Sequence, residues 1–159
     1  MPRFWIFAIL MALVLAAFSL GSPIGQLPPH TKKFQFQGIV LRVTITAQDV
    51  PTDPWLGYWG AGEGPGKNFV SAMDWAGKDG VRYSLPRSAF ADLADVNRVV
   101  GRAKGNLFII DIEGADAGDS YDARLTFKDG RLIERSVASG EFPREHREDT
   151  VNTNLPTGD

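Results

Sequence analysis

Two groups of residues in this chain have the types and spacing to do chemistry. The first is acidic: Asp111, Glu113, Asp116, Asp119 and Asp122 fall close together, with Gly114 and Gly118 between them. A glycine-rich loop carrying carboxylates can supply several of the roughly six to eight oxygens that calcium takes. The spacing departs from the EF-hand loop, which alternates its ligands around a central glycine and closes on a glutamate. Asp and Gly are also what any β-turn prefers. A solvated turn is the preferred reading, with calcium as the alternative.

The second group is aromatic. Trp55, Tyr58 and Trp59 sit in a stretch from Asp49 to Asn68 punctuated by Pro51, Pro54, Gly57, Gly60, Gly62, Gly64, Pro65 and Gly66. Such rings can form a platform that stacks a sugar, a peptide or another flat ligand. They can equally fold back to cover the open side of a sheet, which is the preferred reading for a long loop that needs anchoring.

Other catalytic patterns find little support. There is no cysteine, and the only histidines are His30 and His146, the first in a Pro/Gly-rich tether and the second in a charged tail. Glu145, His146 and Glu148 do not make the His-Glu-x-x-His zinc pattern. Asp74 beside Trp75 and Asp53 near Trp55 are the best combinations for a paired-carboxylate hydrolase. The Gly62-x-Gly64-x-Gly66-Lys67-Asn68 run lacks the spacing, and the Ser/Thr after its lysine, that a P-loop needs. No cofactor is expected.

These residues need elements to position them. From Tyr121 to Phe127 every second residue is apolar, with Asp122, Arg124 and Thr126 alternating; this is the period of a strand wet on one face. Asp129-Gly130 turns the chain into a second run ending at Phe142-Pro143. A two-residue turn there would oppose Arg124 to Arg135, an unfavourable like-charge pair. A three-residue loop with a bulge at Gly130 would oppose Arg124 to Glu134 and is preferred, although it leaves Leu132 on the polar face.

Phe34 to Thr46 reads as one long strand whose apolar parity flips at Gly38, through a bulge or bend. Phe69–Trp75 and Val81–Leu85 form a second hairpin, ended by Pro86. Ser88 offers an N-cap for one short helix with Phe90, Leu93 and Ala94 on a single face. Val99-Val100 returns through Lys104-Gly105-Asn106 into Leu107, where apolar residues on both parities suggest a strand buried on both sides.

At the N-terminus, Arg3 precedes seventeen uncharged residues, Phe4 to Leu20, followed by Gly21, Ser22 and Pro23. The pattern is that of a secretory signal, or of an uncleaved anchor where the cleavage site is weak. Among charged residues its removal takes away only Arg3, leaving 16 basic against 19 acidic groups. That balance gives no electrostatic reason to expect nucleic acid. Lys32-Lys33 and the arginines between Arg98 and Lys104 read as solvated surface.

The expected organisation is a leader or anchor over 1–21, a Pro/Gly-rich linker over 22–33, a domain over 34–143 and a polar, flexible tail over 144–159. The expected fold class is α+β: an antiparallel β-sheet of about five to seven strands with one short helix. The expected place is extracytoplasmic, periplasmic or secreted, with membrane contact only through residues 4–20 if these are retained. The leading functional expectation is a non-enzymatic envelope or secreted domain that binds an unknown protein or ligand, with Trp55, Tyr58 and Trp59 as contact surface. A carboxylate-dependent hydrolase of an envelope polymer and a purely structural envelope component are the alternatives.

Overall fold

The computed structural model describes residues 29–47, 57–61 and 66–151. Trp55, Asp53 and the expected leader or anchor over 1–21 lie outside them. Among the described residues nine strands form two antiparallel sheets. The first contains β1 (His30–Phe36), β2 (Ile39–Thr46), β3 (Phe69–Ala76) and β4 (Arg82–Ser84). The second contains β5 (Val96–Lys104), β6 (Leu107–Gly114), β7 (Tyr121–Lys128), β8 (Arg131–Ser139) and β9 (Arg147–Val151). Strand order follows chain order in both sheets. Their apolar faces share one core, with Leu41, Val43, Ile45, Val70 and Met73 meeting Ile110, Ile112, Leu125, Phe127 and Val137.

This all-β sandwich corrects the expected α+β class and strand number. The Ser88 segment shows why the helix does not form. Only a 3-10 turn, Arg87–Ala89, is helical. Beyond it the backbone bonds to other segments: Asp92 O accepts from Trp59 N, Ala94 N donates to Trp59 O, and Val70 N donates to Leu93 O. The apolar spacing buries Phe90, Leu93 and Ala94 as expected, but cross-chain bridges replace the helical hydrogen bonds.

The long first strand is also corrected. It is a hairpin, with Gln37 (φ 50°) and Gly38 (φ 82°) forming a two-residue turn of the twist-matched type that hairpins prefer. Pairing Phe34 with Leu41 and Phe36 with Ile39 explains the parity flip at Gly38 without an inserted residue. β1 takes in His30–Lys33, assigned above to the linker, and β9 lies within the stretch read as a tail.

At Asp129-Gly130 neither expected register holds along the whole hairpin. The turn has two residues, both with positive φ, and pairs Lys128 with Arg131 and Phe127 with Leu132. A bulge at Ile133 then shifts the register, so Arg124 faces Ser136 and Leu125 faces Arg135. The two arginines are kept apart by the bulge, not by a longer loop. Leu132 turns inward beside Phe127, and Arg135 turns inward with it.

The tight turns at 37–38, 77–80, 105–106 and 129–130 gather at one end of the sandwich, called here the hairpin end. The longer connections, including 57–61, 85–95, 115–120 and 140–146, gather at the loop end.

Candidate groove at the loop end

Trp59 is fixed by the two backbone bonds to Asp92 and Ala94. Its ring lies 6.4 Å from that of Tyr121, tilted by 53°, and packs against the core. Tyr121 is buried at the root of β7, where its hydroxyl donates to Ala94 O at 2.8 Å. Burial pushes its phenol well above the ordinary range, and the charges of Asp92 and Asp95 push the same way. The phenol therefore serves as a neutral donor, joining β7 to the strip that holds Trp59.

Opposite Trp59 stands the β8–β9 connection. Ser139 N donates to His146 O at 2.9 Å, Ser139 Oγ accepts from Phe142 N at 3.1 Å, and His146 N donates to Phe142 O at 3.0 Å. The Phe142 and His146 rings meet edge to face at 6.4 Å. Gly140 N donates to Ser120 O, tying this strap to the 115–120 loop. Between the walls lies a groove of about 480 Å³, lined by Tyr58, Trp59, Asp119, Ser139, Phe142 and His146 among others.

One buried arginine joins the segments that lead into the two walls. Arg135, 3 % exposed in its side chain, places Nη2 at 2.5 Å from Asp92 Oδ2 and Nη1 at 2.9 Å from Glu148 Oε1. Its Nε donates to Ala89 O at 3.2 Å. Asp92 belongs to the strip that carries Trp59, while Glu148 belongs to β9, which follows Phe142 and His146. A guanidinium buried this deeply needs such partners, because an unpaired buried charge costs several kcal/mol, about 3 or more.

The sequence candidates are distributed as follows. Tyr58 and Trp59 line the groove, and Asp119 joins them there. Asp111, Glu113 and Asp122 lie instead on the outer face of the second sheet. Both oxygens of Asp111 are taken, by Arg102 at 2.8 Å and Arg124 at 2.7 Å, and Glu113 is held by Arg98 at 2.8 Å. Partial burial would raise the Asp111 pKa, but hydrogen bonds from Arg102 and Arg124, with their charges, bring it below the usual carboxylate value. Asp116 is exposed on the loop. Among the described residues no three acidic or histidine side chains gather as a metal cage.

Asp74, the described member of the hydrolase combinations, is held by Arg42 at 3.1 Å and Arg82 at 3.4 Å on the outer face of the first sheet. His30 opens β1, exposed. Among the described residues no helix is long and apolar enough to cross a membrane.

Sequence reasoning missed Phe142, His146 and Ser139 as a groove wall, and Arg135 as the buried link between the Asp92 strip and β9. Phe142, apolar beside a proline in a charged stretch, was the available signal for the first. Inward placement of Leu132 would have revealed the bulge and hence the second. No protein-family model, curated protein or solved structure matches this chain.

Proposed function

We propose that this protein is an exported, non-enzymatic domain of the cell envelope or secreted fraction that binds a saccharide at the loop end. The observation that carries the reading is the juxtaposition of Tyr58 and Trp59 with Phe142 and His146 across one preformed groove. Aromatic faces stack on the C–H faces of a pyranose, while the exposed Asp119 and His146 offer polar atoms to its hydroxyls; a few polar groups among apolar walls is the usual make-up of a small-ligand site. The walls rest on β7, β8 and the bridged 92–95 strip, which favours recognition without large rearrangement. Export rests on Arg3 and the uncharged run Phe4–Leu20, which serves as a cleaved signal or as a retained membrane anchor.

Isothermal titration of the full chain with gluco-, manno- and amino-sugar oligosaccharides tests the binding half. Saturable heat with one series, reduced at least tenfold in affinity by Tyr58→Ala, is the expected result. No heat with any series contradicts it. Mass spectrometry of the protein recovered from its host tests the export half: a mature start near Ser22, or an intact chain in the membrane fraction, fits, whereas an intact chain in the cytosol does not.

A further inference from the structure

Three segments build the loop-end groove: 57–61, 115–120 and 140–146. The first carries no charged residue. The second carries Asp116 and Asp119, and the third Glu141, Arg144 and Glu145, all exposed. One cation against four anions gives these segments a net charge of 1 minus 4, or −3, with His146 neutral, whereas the whole chain carries −2. The acidic excess of the protein is thus gathered around this groove. Asp119 is the one acidic or basic side chain, histidine aside, that lines it.

A second carboxylate stands beside that of Asp119. Gly140 N donates to Ser120 O at 2.8 Å, joining the two segments. Glu141 follows and lies over Gly118, where its Oε2 would be 3.4 Å from an added Cβ. Gly118 lines the groove next to Asp119. Among the described residues neither Asp119 nor Glu141 enters an ion pair, whereas Asp74, Asp111 and Glu113 each hold an arginine. A cation entering the groove therefore meets carboxylates without displacing a partner.

The aromatic walls act in the same direction. Tyr58, Trp59 and Phe142 present π-faces whose quadrupole attracts positive charge. Salt and water screen exposed charges over distance, so the attraction counts where the cation sits in the groove itself. A sugar ring that carries an ammonium brings to one place a C–H face for the aromatic rings and a cation for the carboxylates. A uronic acid or a sulfated sugar brings a charge of the wrong sign, and like-charge juxtaposition is a strong means of rejection.

We infer that the loop-end groove, on the reading that it holds a saccharide, selects an amino sugar whose amine is free and protonated, with Asp119 and Glu141 setting the preference.

The test is calorimetric titration of the full chain at about pH 6, where the amine is protonated. Three trimers of one β-1,4-linked backbone are compared, differing only at C2: cellotriose with a hydroxyl, the glucosamine trimer with an ammonium, and the N-acetylglucosamine trimer with a neutral amide. The glucosamine trimer should bind roughly tenfold tighter than either neutral trimer. Asp119→Asn/Glu141→Gln, two exposed and nearly isosteric changes, should cut that preference roughly fivefold. Asp122→Asn/Glu134→Gln removes the same charge from the outer face of the second sheet and should leave the preference in place. Equal or tighter binding of a neutral trimer, or of manno-oligosaccharides alone, overturns the amino-sugar preference and leaves saccharide binding standing. An equal loss of preference in both double variants also overturns it, because the attraction would then belong to the acidic chain at large. No saturable heat with these trimers or with any other series removes both readings.

Discussion

Arg135 reaches from the inward face of β8 to Asp92, with Nη2 2.5 Å from Oδ2, and so ties the second sheet to the strip that carries Trp59. Removing Asp92 leaves the guanidinium deeply buried with Glu148 as its one remaining carboxylate. Asp92→Ala should therefore lower unfolding stability by about 3 kcal/mol. Arg135→Met should cost less, about 1–2 kcal/mol, because an apolar chain replaces the deeply buried charge, and the cost that remains comes from Asp92, 26 % exposed in its side chain but with Oδ1 buried and without a hydrogen-bond partner. Urea unfolding of the two variants checks the order. Equal costs would mean that burial of the arginine is not what matters.

Tyr121 makes stability fall in alkali. Its folded pKa is raised, by burial first and then by Asp92 and Asp95, so the folded state keeps the phenolic proton while the unfolded chain releases it near pH 10. The contribution is complete below that pH and is lost as pH rises through it toward the folded value. Tyr121→Phe should cost about 1 kcal/mol at pH 7 through the hydrogen bond to Ala94 O. The variant should also lose less stability than wild type between pH 9 and about pH 11. Thermal melts across that range give both numbers.

Two glycines of nearly equal φ should respond differently to alanine. Gly80 (φ 77°) has nothing near its missing Cβ, whereas at Gly130 (φ 78°) a Cβ would meet the Trp75 ring at 3.0 Å. Gly80→Ala should cost only the left-handed backbone term, about 1 kcal/mol. Gly130→Ala adds displacement of Trp75, for about 2–3 kcal/mol in all. A red-shifted tryptophan emission in Gly130→Ala alone would locate the extra cost.

Calcium should leave the melting temperature unchanged at millimolar concentration, because Asp111 and Glu113 already carry arginine partners on strands. An increase of several degrees would show a ligand set that the strands do not present. The depressed Asp111 pKa supplies stability above the unfolded carboxylate value, lost as pH falls through the folded one. Asp111→Asn should accordingly flatten the acid limb of the stability profile.

The strands were legible in the sequence where one face is wet. Tyr121–Lys128 alternates as read, and the Phe69–Ser84 and Val96–Gly114 hairpins lie where their turns suggested. Legibility failed where a local pattern had two outcomes. A parity flip at Gly38 fits a bulge or a hairpin equally well. The spacing of Phe90, Leu93 and Ala94 suits a helix face, but residues 59 and 68–70 supply the hydrogen bonds a helix would have made. The bulge at Ile133 was signalled only by Leu132, which the preferred register left on the polar face, and the inward turn of Arg135 is stabilised by Asp92, distant in sequence. The same long-range dependence hid half of the groove: Tyr58 and Trp59 stood out by composition, while Phe142 and His146 gain meaning only when β9 pairs with β8.

Nuclear magnetic resonance of the isotopically labelled full chain, titrated with the oligosaccharide series that gives the strongest calorimetric signal, tests the binding site most directly. The account predicts that the Trp59 indole N–H and the Ser139, Phe142 and His146 amides shift together along one saturation curve, while amides of the hairpin turns stay in place. Shifts confined to the outer faces of the sheets, or the absence of any at Trp59 and His146, would contradict it.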